Sequence, residues 1–276
     1  MMQTLPLRQP AVAGRFYPAE PQALARQVDQ CLASEGGAPE KIEGALGCIV
    51  PHAGYVYSGP VAGAVFARLP TRAAYIILGP NHTGRGAPLA IVSEGEWLTP
   101  LGRVRVDTEL ARRLRHSCSL LEEDSEAHED EHSLEVQLPF LQRSVGTFSF
   151  VPIAVGVGGF KALEALGHGI GQTLKPSAQS ALIIASSDMN HYEPDDVTRR
   201  KDGMAIDQIK ALDPRGLYEV RRREDITMCG YGPAIAMLTA AKDLGATRAE
   251  LVRYATSADA SGDRSSVVGY AGIIVS

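Results

Sequence analysis

Apolar residues in this chain collect in short unbroken runs, and between the runs they recur every three or four positions. Ala45 to Val50, Tyr75 to Leu78, Phe148 to Val155 and Ala181 to Ser186 are the runs. They are too short for helices and rich in β-branched residues, so they read as buried strands. The wider spacing predicts helices over Pro21–Ala33, from Ser58 or Gly59 to Leu69, and over Phe160–Leu174, Asp196–Ala211 and Pro214–Arg222. A further helix runs from the Met228–Pro233 turn to about Leu244. Leu89–Val92 and Gly102–Val106 predict strands leading to a helix capped by Asp107 or Thr108. Leu251–Ala255 and Val267–Val275 close the chain as strands around the loop Asp259–Ser266. Ser34–Pro39 breaks the chain after the first helix, and a Gly-rich turn precedes Phe160. No repeat and no dividing linker is visible. Alternating strand and helix implies one α/β domain over residues 1–276, its mainly parallel central sheet covered by helices on both faces.

Three of the strands run into a histidine. Val50 leads to Pro51-His52-Ala53-Gly54, Leu78 to Gly79-Pro80-Asn81-His82, and Ser186 to Ser187-Asp188-Met189-Asn190-His191. In a parallel sheet all strand carboxyl ends lie on one side, where open α/β sheets bind ligands. His52, His82 and His191 should therefore open onto a common rim. Cys229 and Asp188 can add a thiolate and a carboxylate, and with imidazoles these are the donor types that hold metal ions.

A rival motif is His128-Glu129-Asp130-Glu131-His132, which matches the H-E-x-x-H of zinc peptidases. Seven acidic residues fall between Glu122 and Glu131, and no apolar face accompanies the motif before Leu134. A ligand-bearing helix must be buried along one side. The run therefore reads as an acidic loop entering a helix at His132-Ser133, with Leu134, Leu138 and Leu141 inward. His132 and Glu135, at i and i+3, face the rim as groups that orient ligands. His116 and His168 sit in ordinary helical contexts.

With 276 residues the chain buries a large core and needs no metal merely to stay folded. Its formal charge of -5 leaves no basic footprint for nucleic acid, since Arg221-Arg222-Arg223 is followed at once by Glu224 and Asp225. No stretch reaches the length of a membrane span, and Met1–Pro6 lacks the regions of a signal peptide. Cys31, Cys48, Cys118 and Cys229 show no paired spacing, which fits a reducing compartment. The expected location is the cytoplasm, with no nucleic-acid or membrane partner.

Six motifs in order carry a resemblance: Gly14-Arg15-Phe16-Tyr17-Pro18, Pro51-His52-Ala53-Gly54-Tyr55 with Tyr57-Ser58-Gly59, Gly79-Pro80-Asn81-His82, Glu131-His132-Ser133-Leu134-Glu135, Ser187-Asp188 with His191, and Cys229-Gly230. Together they resemble the Memo family, over nearly the whole chain. Bacterial and archaeal members are known as the B protein of the AmmeMemoRadiSam system. The resemblance implies a radical-SAM protein and a third component as partners. It also implies a fold similar to class III extradiol dioxygenases, which bind Fe(II) through two histidines and a glutamate. On that resemblance His52 and His82 are metal ligands, Cys229 replaces the carboxylate, and His191 matches the acid/base histidine. Tyr57, Asn81 and Asp188 belong to the pocket, Asp188 as a catalytic residue beside His191. A thiolate in place of a carboxylate shifts preference toward copper(I), zinc or thiolate-bound iron.

The first functional expectation is a redox enzyme using iron or copper, with zinc possible, acting on a small molecule or peptide. A second is a non-catalytic binder of a peptide or partner on a vestigial dioxygenase scaffold. A third is a zinc peptidase working through His128, Glu129 and His132.

Overall fold

The computed structural model describes residues 6–33, 39–156 and 158–276. The readings of Met1–Pro6, of Ser34–Pro39 and of the Gly-rich turn before Phe160 fall partly outside them. The strands are β1 (Leu7–Arg8), β2 (Gly47–Val50), β3 (Ala74–Pro80), β4 (Leu89–Ile91), β5 (Glu96–Thr99), β6 (Gly102–Val106), β7 (Glu122–Glu123), β8 (Ser149–Val155), β9 (Ala181–Ser186), β10 (His191–Glu193), β11 (Ala249–Thr256) and β12 (Val267–Val275). The helices are α1 (Pro21–Leu32), α2 (Tyr55–Phe66), α3 (Thr108–Ser117), α4 (Glu126–Glu129), α5 (Leu138–Ser144), α6 (Phe160–Leu174), α7 (Asp195–Lys210), α8 (Pro214–Arg223), α9 (Tyr231–Asp243) and α10 (Ala258–Ser261).

Among the described residues the strands join in one mixed sheet, ordered β1-β5-β6-β8-β3-β9-β2-β12-β10, with β11 against β12 and β4 against β8. Its centre, β6-β8-β3-β9-β2, is parallel throughout. Antiparallel partners flank it: β5 on β6, and β12 on β2. Every residue of β2, β3 and β9 is buried, which explains why the sequence shows them as unbroken apolar runs.

Alternation along these strands divides the core between the two faces. Tyr75, Ile77, Phe150, Leu182 and Ile184 pack with Leu24 and Val28 of α1, Val65 and Phe66 of α2, and Phe140 of α5. Ile76, Leu78, Val151, Ile153 and Ile183 pack with Leu110 of α3, Leu163 of α6 and Ile235 of α9. Truncating one such isoleucine to alanine costs about 2–5 kcal/mol, because the sheet cannot collapse into the space left. No helix is long and apolar enough to cross a membrane among the described residues.

Two elements near the rim differ from expectation. Helix α2 begins at Tyr55, three residues before Ser58. Gly54 O accepts from Tyr57 N, and the Ser58 hydroxyl donates back to Ala53 O at 2.7 Å, so the turn is already helical. Pro60 is tolerated because the carbonyl it leaves without a donor belongs to Val56, which lies on the solvent side at 68% exposure. The helix expected at His132-Ser133 is instead a loop, followed by a 3-10 turn at Glu135–Gln137 and then α5. Glu131 accepts from Ser133 N at 2.9 Å and folds the chain back on itself at that point.

Candidate metal centre

Strands β3, β9 and β2 are neighbours, so the segments leaving them meet at one edge of the sheet. His52 follows β2, His82 follows β3, and Asp188 and His191 follow β9. The loop after α4 adds His132 from the side. His52, His82 and His132 each offer one ligand atom, and the three atoms lie within 4.8 Å of one another. The rings pack closely: His82 and His132 stack at 4.7 Å, and His52 meets His82 edge-on at 5.2 Å. They line a cleft of about 620 Å³ with Phe16, Asp188, His191, Tyr192, Cys229 and Tyr270 among its other walls.

Hydrogen bonds fix which ring nitrogens face the cleft. Ser186 Oγ donates to Ser133 O at 2.7 Å and accepts from Gln137 Nε2 at 2.9 Å. Its remaining lone pair takes the proton of His52 Nδ1, 2.9 Å away. His52 Nε2 is therefore left with a free lone pair, and Cys229 Sγ lies 3.2 Å from it. Glu131, fully buried, accepts from His82 N at 2.6 Å and from His82 Nδ1 at 2.9 Å, which frees His82 Nε2 in the same way. A carboxylate behind a ligating histidine is the usual support of metal sites. His191 Nδ1 lies 3.0 Å from Thr227 O, to which it donates, and His191 N donates to Thr227 Oγ1 at 2.7 Å.

The electrostatics favour neutral donors at two of the three positions. Burial brings His52 down to about 3, with the neighbouring imidazole of His82 adding to the effect. Burial and His52 bring His132 down to about 4. Burial also pulls His82 downward, but the hydrogen bond and charge of Glu131 outweigh it and hold the ring above its usual value. Glu131 in turn is held at about 2, because His82 and the Ser133 amide overcome its own desolvation. Burial pushes the Cys229 thiol well up, with the Asp188 charge adding to it. Only a nearby cation would offset that and favour the thiolate.

Of the residues expected from sequence, His52, His82, His191, Asp188, Cys229 and His132 all line the cleft. His132 stands closer than expected: it is one of the three clustered donors rather than an orienting neighbour. Asp188 accepts from His52 N at 2.7 Å and so shapes the Pro51–Tyr55 turn. Three others lie elsewhere. Glu135 is buried away from the cleft, where it accepts from Ala11 N, Val12 N, Tyr17 Oη and Arg8, and so ties down segment 8–17. That segment lays Phe16 on His132 at 4.7 Å. Asn81 turns into its own loop, accepting from Thr83 Oγ1 and Gly84 N. Tyr57, on α2, is 43% exposed and is not among the residues lining the cleft.

The peptidase geometry is not formed. Helix α4 ends at Glu129, so His128 and His132 do not share a helix face. His128 points into the protein, with Nε2 toward Ala90 O at 3.3 Å and its ring against Trp97. Sequence reasoning passed over Glu131, Ser186 and Thr227 as supports. The Glu131-His132 pair inside a six-motif pattern was the one available signal; Ser186 and Thr227 carry none without the fold.

A family model described as Memo-like protein matches residues 8–274. The MEMO1 family protein MK0963 of Methanopyrus kandleri is 44% identical, over 97% of this chain and 98% of its own length. The MEMO1 family protein Mbar_A1422 of Methanosarcina barkeri is 47% identical, over 98% of this chain and all of its own. The MEMO1 family protein MJ0403 of Methanocaldococcus jannaschii is 41% identical, over 98% and 99%. Among solved structures, uncharacterized protein JW3007 from Escherichia coli K12 shares the fold at a TM-score of 0.53 and 13% identity, covering 83% of this chain and 98% of that one. With a match across nearly its whole length and full-length relatives above 40% identity, this chain belongs to the Memo family.

Proposed function

We propose that this chain is a metal-dependent redox enzyme whose ion is held by His52, His82 and His132, with Cys229 as a soft additional donor. The observation that carries the reading is the convergence of the three donor atoms within 4.8 Å, with Nε2 freed on His52 and His82 by buried partners. Neutral imidazoles beside a thiol suit iron or copper, and zinc as a third choice. Two donors on one ion, each bonded at about 2.0–2.3 Å, stand within roughly 4.3 Å of each other, and the 3.2 Å between Cys229 Sγ and His52 Nε2 meets that condition. An iron or copper ion there would supply one-electron and oxygen chemistry.

The protein's own groups do the rest. His191, with Nδ1 committed to Thr227 O, presents Nε2 as a proton acceptor for a ligand in the cleft. Asp188 holds the His52 turn in place. A radical-SAM protein and a third component as partners complete the proposal, supported by the family likeness alone. The cytoplasm as location is supported by four free cysteines.

Metal analysis of protein purified without oxygen tests the reading. The expected result is about one equivalent of iron or copper, lost in His52→Ala and His82→Ala. A protein that takes up neither ion overturns it.

A further inference from the structure

Between the end of β9 and the start of β10 stands Asn190, a fully buried side chain. Its amide is committed at both ends. Oδ1 accepts from Thr227 N at 3.0 Å and from Thr227 Oγ1 at 3.1 Å, while Nδ2 donates to Glu193 Oε2 at 2.6 Å. These partners fix which way the amide points, since two donors face one end and a carboxylate faces the other. The backbone is held as well: Asn190 N donates to Asp202 Oδ1 at 2.8 Å, and Asn190 O accepts from Gly269 N at 2.9 Å.

The residue under this grip is Thr227, on the stretch between α8 and α9. Among the described residues no backbone-to-backbone hydrogen bond ties it to the 190–193 loop, so side chains make the connection. The Thr227 hydroxyl has one proton and two acceptors in reach, Asn190 Oδ1 at 3.1 Å and His191 O at 3.5 Å. Asn190 offers the shorter bond, and the hydroxyl lone pairs are then free to accept from His191 N at 2.7 Å. The Thr227 carbonyl, which can only accept, takes the proton of His191 Nδ1 at 3.0 Å. Asn190 thereby stands behind both bonds that orient His191.

It also braces a strained point. Tyr192 is the extra residue of a bulge between His191 and Glu193 and has φ 62°, in the left-handed region. Asn190 fixes the residue on either side of it, His191 through Thr227 and Glu193 directly. Such a conformation persists only where its surroundings over-determine it, and it is concentrated at functional sites.

We infer that Asn190 is the positioning residue of His191: by clamping Thr227 it holds the imidazole in its Nδ1–H form and leaves Nε2 as the proton acceptor. This rests on the reading of His191 as the acid/base group and adds the part that sets it. Only an amide supplies an acceptor and a donor on so short a side chain, and aspartate alone would put a second carboxylate against Glu193.

The two neutral forms of an imidazole are told apart by the nitrogen shifts of isotope-labelled histidine, read at about pH 9, where an ordinary imidazole is neutral. The sample is the full chain treated with chelator, so that no paramagnetic ion broadens the signals, and His191→Gln identifies the His191 signals by their loss. The native chain should hold His191 almost wholly as the Nδ1–H form. Asn190→Ala should move the ratio of the two forms about ten-fold toward Nε2–H, the worth of one net hydrogen bond. Asn190→Asp combined with Glu193→Gln re-forms both contacts with donor and acceptor exchanged, and should restore the native ratio. Thr227→Val, at an exposed position, deletes the hydroxyl but keeps the carbonyl. It should shift the ratio in the same direction, and it decides the matter if Asn190→Ala does not fold. A merely structural asparagine would lower the melting temperature and leave the ratio alone. A native chain with His191 mainly as Nε2–H, a ratio within about two-fold of the native one in either single variant, or a double variant that stays shifted overturns the inference. Metal uptake is measured separately: a chain that takes up neither iron nor copper sinks the metal reading alone, and an unmoved ratio sinks this one alone.

Discussion

Glu131 grips His82 twice, through the backbone amide at 2.6 Å and the ring Nδ1 at 2.9 Å, from a position with no solvent exposure. One carboxylate thereby sets the loop, the ring orientation and the tautomer of a single histidine. Glu131→Gln keeps the shape but loses the charge, and an amide can accept only one of these bonds well. The expected outcome is a metal affinity about 10–100-fold weaker, the range seen when a supporting carboxylate is removed. Competition titration with a chromophoric chelator measures it, and an unchanged affinity would show that His82 needs no such support.

The fold was legible because its central strands are buried on both faces: Ala181–Ser186 and Phe160–Leu174 stand in the structure with the bounds their apolar spacing gives. The rim was legible for the same reason, since parallel strands must end on one side. What was not legible came from tertiary contacts. Glu135 sits at i+3 from His132 as though both faced the cleft, yet the chain there is a 3-10 turn, and its carboxylate is taken by segment 8–17. The H-E-x-x-H run misleads because its match assumes a continuous helix, and α4 stops after four residues. Glu131 was hidden as one of seven acidic residues in that run, and only burial distinguishes it.

Cys229 and His132 make separable contributions. A thiolate prefers soft ions, whereas three imidazoles suffice for a borderline one. Cys229→Ala should therefore cost copper(I) at least about ten-fold more affinity than it costs zinc(II) or iron(II). His132→Ala should weaken all three. Parallel titrations with the three ions check this, and equal losses in Cys229→Ala would remove the sulfur from the donor set.

Glu135 anchors the segment that carries Phe16 onto His132. Its side chain is fully buried and that of Arg8 is 10% exposed, so the pair is an interior one whose second partner is left charged if the first is removed. Glu135→Ala should cost about 3–5 kcal/mol of stability, measured by urea unfolding. The amides of Ala11 and Val12, which donate to this carboxylate, should lose their hydrogen-exchange protection before the central strands do. Retained protection at both amides would show that the segment is held by its apolar contacts instead.

Asp202 provides a pH dependence away from the cleft. Its carboxyl is fully buried, accepts from Tyr254 Oη at 2.7 Å and from Asn190 N at 2.8 Å, and is raised by desolvation from 3.8 to about 7. In the unfolded chain the group ionises near 3.8, while in the fold it keeps its proton until about 7. The folded state therefore binds the extra proton between those values. Its stability is fully present below the unfolded value and is lost as pH rises through the folded one, at about 1.4 kcal/mol per pH unit for this group. Asp202→Asn cannot ionise, so it should match the native protein near pH 4 and exceed it at pH 7. Urea midpoints collected across this range give the answer, and parallel curves for the two proteins would mean that Asp202 is ionised in the fold.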